Sequence, residues 1–353
     1  MSPAQKQKKR VLMILTGGTI AMDPTGLETP PPPIGKKGGK QNPQALTIAP
    51  GFAKKLLKAL PELASLAELG VCSLFEKDST VVTPADWITI AETIGRFYDD
   101  YDGFVVIHGT DTMTYAATAV SYMLPFPCKP VIFTGSLRPL GAVLTDARRN
   151  LVSSVLLAAE QRILETCIFF DTKLYRANRT IKSHIEDFDG FSSPNFPILA
   201  EQRLHTKYFD VPRHVCDHPK LKVAFSGDLQ VIYPYPGMAM ALNPKARALL
   251  VLGFGCGNLP STNKDMVALL KECRRKSVPV LLASQVPAGA ATPELYEMGR
   301  WAVEMGAIST GDMTTAAAIV KAQVILANRA PLEHWGQLMA QNWAGEITPA
   351  AML

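Results

Sequence analysis

The sequence predicts an α/β protein with a larger N-terminal domain (residues 1–195) built on a doubly wound, mainly parallel sheet. A linker (196–221) and a smaller C-terminal α/β domain (222–353) follow. Three observations predict it. Short apolar runs recur and are continuous rather than alternating, as in parallel strands buried on both faces. Helical patterns with N-terminal caps lie between them. Between residues 185 and 221 this regularity fails in a Pro-, His- and polar-rich stretch. It separates two regions that, in a chain of 353 residues, are each large enough for a core.

The first apolar run is "RVLMIL" (10–15), and it ends in the tight turn "TGGTI". A tract from Asp23 to Pro43 follows, with Pro24, Pro30 to Pro33, Pro43, four glycines and three lysines. It buries too little apolar surface to offset its ordering entropy, and its place after Thr19 suggests a mobile cover over a rigid turn. In "TPADWITIAETIGRF", Thr83 caps, Pro84 takes the first helical position and Asp86 completes a capping box. Trp87, Ile90, Ala91, Ile94 and Phe97 then form one apolar face. "GFVVIH" (103–108) is the next strand, and Thr110 or Asp111 after it has the chemistry to cap the helix "TMTYAATAVSYML". "PVIFTG" (130–135) and "TCIFF" (166–170) are strands, with a capped helix at "TDARRNLVSSVLLAAEQ" (145–161) between them. Beyond the linker, "ALLVLGF" (248–254) and "PVLLAS" (279–284) are strands, and "TPELYEMGRWAVEMG" (292–306) begins with a similar cap.

Composition narrows the function. With 47 % hydrophobic and 19 % charged residues the chain is an ordinary globular protein. The net charge of +5 sits largely in Lys6, Lys8, Lys9 and Arg10 and in Lys36, Lys37 and Lys40. No element repeats a basic face, so nucleic acid is not an expected partner. No run approaches a membrane span, and "VLMIL" is too short for a signal-peptide core. The six cysteines form no CxxC pair and read as reduced core thiols of a cytoplasmic protein. "HVCDH" (214–218) aligns His214, Cys216 and His218 if extended but lacks a fourth ligand, so neither a metal nor another cofactor is expected. Cys256 reads as a small packing residue, with no basic partner to activate it.

Three strand ends carry hydroxyl or acidic groups: Thr16 and Thr19 in "LTGGTI", Thr110 and Asp111 in "HGTDTM", and Thr134, Ser136 and Arg138 in "FTGSLRP". A parallel sheet brings such ends to one crevice beyond its C-terminal edge. The first glycines do not fit GxGxxG, and a proline tract rather than a helix follows them, which argues against a dinucleotide cradle.

Taken together, "LTGGTI", "HGTDTM", "FTGSLRP" and "NRTIK", in this order and spacing, resemble the L-asparaginases of the bacterial type. The likeness continues through "DSTVVTPADW", "FFDTKLYRANRTIKSHIEDFDGFSSPNFP", "GFGCGNLPST", "GDMTTAAAIVK" and "QNWAGEITP", from about residue 10 to 350. The last two segments look like the cytosolic type I branch. The resemblance implies hydrolysis of the side-chain amide of L-asparagine, with Thr19 as the attacking group. It implies a second group of Thr110, Asp111 and Lys182, in which lysine acts as base and Asp111 orients it. It also implies backbone N–H donors near Thr110 for the oxyanion. Asp78, Ser79, Thr80 and Gly109 match the segments that hold the substrate, and Ser136 matches a position near its amide. Asn258 matches an asparagine contributed from a neighbouring subunit, which implies a homodimer or homotetramer. Without the resemblance, Ser79 and Thr80 would read as a polar loop before Thr83. The family usually carries a tyrosine on the loop after the first threonine; residues 20 to 97 contain none, the nearest being Tyr98. A water, Thr25 or a neighbouring hydroxyl would have to take its place. The ammonia-releasing subunit of a tRNA amidotransferase, which usually carries an extra N-terminal domain, and an asparagine-binding regulatory homologue are the alternatives.

Overall fold

β1 (Arg10–Gly17) lies inside the first sheet of the computed structural model, which describes residues 8–22, 52–210 and 223–349. The tract expected to cover the site and the "HVCDH" stretch lie outside the described residues. The chain forms two compact units, one running to Ala177 with Lys182–Ser192 and the stretch from Ile198, the other combining Asn178–Ile181 and Ser193–Pro197 with the chain from Lys222 onward.

The first unit continues through α1 (Phe52–Ala59), α2 (Leu63–Leu66), β2 (Glu68–Lys77), α3 (Pro84–Arg96), β3 (Gly103–Ile107), α4 (Met113–Met123), β4 (Val131–Thr134), α5 (Ala147–Glu160) and β5 (Thr166–Phe170). β6 (Lys173–Arg176) then turns back antiparallel to β5. After the two-residue pair β7 (Ile181–Lys182) and β8 (Phe191–Ser192), β9 (Ala200–Gln202) and β10 (Thr206–Tyr208) extend the same edge antiparallel. The strand order is β10-β9-β6-β5-β4-β3-β1-β2, with β2, β1, β3, β4 and β5 parallel.

The continuous apolar runs 10–15, 103–108, 130–135 and 166–170 all became strands, and β3, β4 and β5 are buried at every position. β2 escaped the pattern because it is a half-exposed edge strand with a mixed sequence, and edge strands need apolar residues on neither face throughout. β9 and β10 come from the irregular stretch; strands this short and polar, β10 at the sheet edge and β9 between it and β6, leave no apolar run to find. The box at α3 formed as expected, with the Asp86 carboxylate accepting from Thr83 N–H at 2.8 Å and Thr83 Oγ1 at 2.9 Å. Thr145 Oγ1 accepts from Ala147 N–H at the start of α5.

In the second unit β11 (Leu229–Ile232), β12 (Ala248–Gly253), β13 (Val280–Ser284) and β14 (Ala307–Ser309) form a parallel sheet in chain order. α6 (Lys264–Arg275), α7 (Glu297–Glu304), α8 (Thr315–Ala327) and α9 (Trp335–Ala340) supply its layers. One core joins Leu250, Leu252 and Leu281 to Ala317, Ala322 and Ile325 of α8 and to Trp335 and Met339 of α9. The other joins Leu249, Val251 and Leu282 to Met266, Leu269 and Leu270 of α6 and to Ala302 of α7. Alternate strand residues face opposite ways, so helices on both faces require the unbroken apolar strands that the sequence showed. The expected cap at Thr292 opens only the single 3-10 turn Pro293–Leu295, and α7 starts later, at Glu297.

Cys72, Cys167, Cys256 and Cys273 are free thiols, and burial raises the pKa of Cys167 and of Cys273, the latter to about 11. Cys128 departs from the expected set of reduced thiols: it is disulfide-bonded. No helix among the described residues is long and apolar enough to cross a membrane.

Candidate functional site

Strand register brings the motif-bearing turns together. Leu15 pairs with Ile107, Ile107 with Thr134, and Gly17 with Lys77, so β1, β2, β3 and β4 all end at one edge of the sheet. β1 and β3 are neighbours with β2 on the far side of β1, so the winding reverses between β1 and β3. A crevice opens at such a reversal. Thr16 Oγ1 donates to Ile107 O at 2.8 Å and stitches these two strand ends together. Gly17 and Gly18 then take φ of 105° and 86°, in the left-handed region that side chains disfavour. A Cβ on Gly18 would lie 2.4 Å from Gly109 Cα, and one on Gly109 would lie 2.7 Å from Ser79 Cβ. Gly18 and Gly109 thus touch backbone to backbone, the Ser79 side chain packs against Gly109, and Thr112 Oγ1 donates to Ser79 O at 2.7 Å.

The groups of the second motif meet directly. Lys182 Nζ lies 2.9 Å from Thr110 Oγ1 and 2.6 Å from Asp111 Oδ1. Thr110 is buried, whereas the Asp111 side chain is 56 % exposed and so remains open to a further cation. The cap reading of "GTDT" fails: the residue before α4 is Thr112, and neither Thr110 nor Asp111 bonds the first turn. Their side chains turn to Lys182 instead. A lysine held between a hydroxyl and a carboxylate has the parts of a proton-transfer relay.

Thr19 opens the 3-10 turn Thr19–Ala21, half-buried, and its carbonyl accepts from Met22 N–H. Among the described residues no hydrogen bond engages its hydroxyl. Asp78 caps the 3-10 turn Ser79–Val81, accepting from Thr80 N–H at 2.8 Å and Thr80 Oγ1 at 2.6 Å. These bonds, the hydroxyl's first, hold the Asp78 carboxyl below its ordinary pKa. Ser79 is buried against Gly109. Ser136 is buried too, and its Oγ donates to Arg138 O at 2.5 Å. Asn258 belongs to the second unit, in the "GFGCGNLPST" turn, where its N–H and carbonyl pair with Phe254. Tyr98 does not replace the missing loop tyrosine. Its hydroxyl accepts from Cys128 N–H and its ring stacks on Phe104, both near the starts of β3 and β4 rather than their ends.

Three further residues support the turns, and sequence reading missed all of them. Asp146, 2 % exposed, accepts from Leu137 N–H at 2.9 Å and Arg138 N–H at 3.1 Å. Its burial raises the carboxyl pKa against the pull of those bonds. Asn150, fully buried on α5, donates to Gly135 O at 2.9 Å and accepts from Asp171 N–H at 3.0 Å. His108, 1 % exposed, places Nδ1 2.8 Å from Gly109 O. The only sequence signal was position, and only for His108, which directly follows β3; Asp146 and Asn150 lie at the start of α5 and within it. Among the described residues no group of three or more His, Cys, Asp or Glu side chains is arranged to hold a metal ion.

Comparison with known proteins follows the same map. The family model "Asparaginase, N-terminal" matches residues 10–213, and "Glutaminase/Asparaginase C-terminal domain" matches 229–339. L-asparaginase 1 of Escherichia coli K12 is 34 % identical over 354 aligned residues, covering 97 % of this chain and 99 % of that protein. The crystal structure of L-asparaginase I from Vibrio cholerae is similar with a TM-score of 0.80 and 34 % identity over 97 % of this chain and 99 % of that one. The thermostable L-asparaginase of Thermococcus kodakarensis is similar with a TM-score of 0.83 at 28 % identity, over 97 % and 100 %.

Proposed function

This chain belongs to the asparaginase family, in its bacterial type I branch, and we propose that it hydrolyses L-asparagine to L-aspartate and ammonia. The observation that carries the reading is Lys182 Nζ bonded to both Thr110 Oγ1 and Asp111 Oδ1, beside the turn that bears Thr19. Thr19 Oγ attacks the side-chain amide carbon and its proton passes, through the lysine relay, to the departing nitrogen. Ammonia leaves, and a threonine ester of aspartate remains. Water adds to that ester under the same relay, and breaking the ester bond restores the hydroxyl. The developing oxyanion faces backbone N–H donors at the Gly109–Asp111 turn. Exposed Asp111 pairs with the α-ammonium, and Ser79 and Thr80, with Asp78 fixing the turn, receive the α-carboxylate. Ser136 lies near the amide.

The test is ammonia release by the purified protein from L-asparagine and L-glutamine with no acceptor present. Release from L-asparagine at more than about tenfold the efficiency seen with L-glutamine is the expected result. Ammonia formed only with an acceptor would favour the amidotransferase reading, and tight binding without turnover a regulatory one.

The working form is a cytoplasmic homodimer or dimer of dimers. Asn258 supports this through the family's neighbouring-subunit asparagine. The second unit also exposes Tyr233 (60 %), Tyr235 (62 %), Leu295 (67 %) and Tyr296 (56 %), apolar area of the kind that association covers. Activity per subunit should therefore fall on dilution below the dissociation constant, and Asn258→Ala should lower turnover without changing the subunit's own stability. A fully active monomer by light scattering would refute the assignment.

A further inference from the structure

His108 ends in an unusual position for a polar ring. It follows β3 directly, its N–H donates to Thr134 O, and its side chain packs against Phe133 with ring centroids 6.2 Å apart. Nδ1 lies 2.8 Å from Gly109 O, and a carbonyl only accepts, so Nδ1 carries a proton. Burial pushes the imidazole pKa down, against smaller upward pulls from the Gly109 bond and from Asp86, so the ring is neutral and Nε2 is bare. That Nε2 is buried with no hydrogen-bond partner among the described residues. An apolar residue would fill this site without leaving an acceptor stranded, so what the ring contributes is its Nδ1–H.

The bond acts on one peptide. In a trans peptide the carbonyl and the following N–H share a plane and point opposite ways. Holding Gly109 O toward the buried imidazole therefore turns Thr110 N–H away from it. Thr110 N–H makes no hydrogen bond among the described residues, and the same residue's Oγ1 receives Lys182 Nζ. Glycine at 109 has no Cβ to limit its own rotation, although Gly18 and Ser79 pack where a Cβ would stand. Without a partner for its carbonyl this peptide would sample other orientations.

We infer that His108 is a positioning residue, whose Nδ1–H bond to Gly109 O keeps Thr110 N–H set as an oxyanion donor and Thr110 Oγ1 set against Lys182. The inference rests on the asparaginase reading. Its expected signature lies in kcat, because an oxyanion donor acts in the transition state more than in substrate binding.

The experiment compares three substitutions in the full chain. Asparagine carries its amide nitrogen on Cγ, where histidine carries Nδ1; glutamine places it one bond farther out; leucine has no donor. His108→Asn should keep kcat for L-asparagine within about threefold of the parent. His108→Leu and His108→Gln should lower it roughly 10- to 1,000-fold with KM changed little, the range seen when one oxyanion donor is lost. His108→Leu should also match or exceed the parent in thermal stability, since it removes the stranded Nε2. A merely structural histidine would show the opposite pattern, with activity and stability falling together and asparagine no better than leucine, and that would overturn the inference. If His108→Leu fails to fold, the Asn-against-Gln comparison still decides. A substrate-free arm separates this from failure of the asparaginase reading: ¹⁵N NMR of labelled histidine should show His108 as the neutral Nδ1–H tautomer, and an Nε2–H tautomer would overturn it whatever the protein hydrolyses.

Discussion

Replacing Lys182 by methionine should lower kcat for L-asparagine by about 10²- to 10⁴-fold, the contribution expected of a positioned general base. Methionine keeps the length and apolar stem of lysine, so the loss would report the amine and not a hole. Both partners of Nζ, Thr110 Oγ1 at 2.9 Å and Asp111 Oδ1 at 2.6 Å, would lose their bond. Thr110→Val, which removes the hydroxyl at constant shape, should fall in the same range. The double variant should be little worse than either single one, because residues that act as a unit fail as a unit. Thr19→Ala should remove the acyl-enzyme step altogether. Steady-state ammonia release measures all of these, and the Lys182→Met protein should unfold at the parent's temperature within a few degrees, because the Asp111 carboxylate is 56 % exposed and an ion pair with a solvated partner is worth only about 0–1 kcal/mol. A Lys182→Met enzyme retaining more than about a tenth of the parental kcat would take the lysine out of proton transfer.

The proposed Thr19, Thr110 and Asp111 stand out in the sequence because their neighbours do, whereas Lys182 is named only through the resemblance. Thr19 and Thr110 sit beside glycines that close approach demands: Gly18 against Gly109, Gly109 against Ser79. A cluster of glycine and hydroxyl residues directly after a buried apolar run is visible in one dimension. The bonds that hold the turns were not. Asp146 looked like part of a helix cap, Asn150 like a polar helix position, and His108 like the last residue of a strand. Only folding shows that Asp146 and Asn150 tie the 135–138 turn to α5, and that a histidine ring is buried at its neighbour's carbonyl. The fold divides the same way. Parallel strands buried on both faces announce themselves by unbroken apolar runs, as β3, β4, β5, β12 and β13 did. The edge strands β2, β10 and β11, and the short β9 beside β10, are partly exposed and leave no such run.

The second large effect is on stability, and it falls on "GDMTTAAAIVK" and "QNWAGEITP". Lys321 on α8 and Glu346 are both fully buried, with Nζ 2.6 Å from Oε1. Nζ also donates to Met339 O at 3.0 Å and to Gln341 O, and lies 4.8 Å from the centre of the Trp343 ring. The Glu346 carboxylate accepts in turn from Trp343 N–H at 3.0 Å and Ala344 N–H at 2.7 Å. One ion pair thus closes the 341–346 turn onto the helix. Burial pushes the Lys321 pKa below its ordinary value, and Glu346 pulls it back up. Glu346→Ala should cost about 3–5 kcal/mol, because it strands an amine where water cannot reach it. Lys321→Met should cost less, since the two N–H donors still hold the carboxylate. Lys321→Met with Glu346→Gln should recover much of the loss, because no uncompensated charge is left and the amide oxygen still accepts from the turn. Denaturant unfolding followed by tryptophan fluorescence, to which Trp335 and Trp343 contribute, measures the three variants. A Glu346→Ala protein within about 1 kcal/mol of the parent would mean that the amine escapes to solvent and that the pair does not hold the turn.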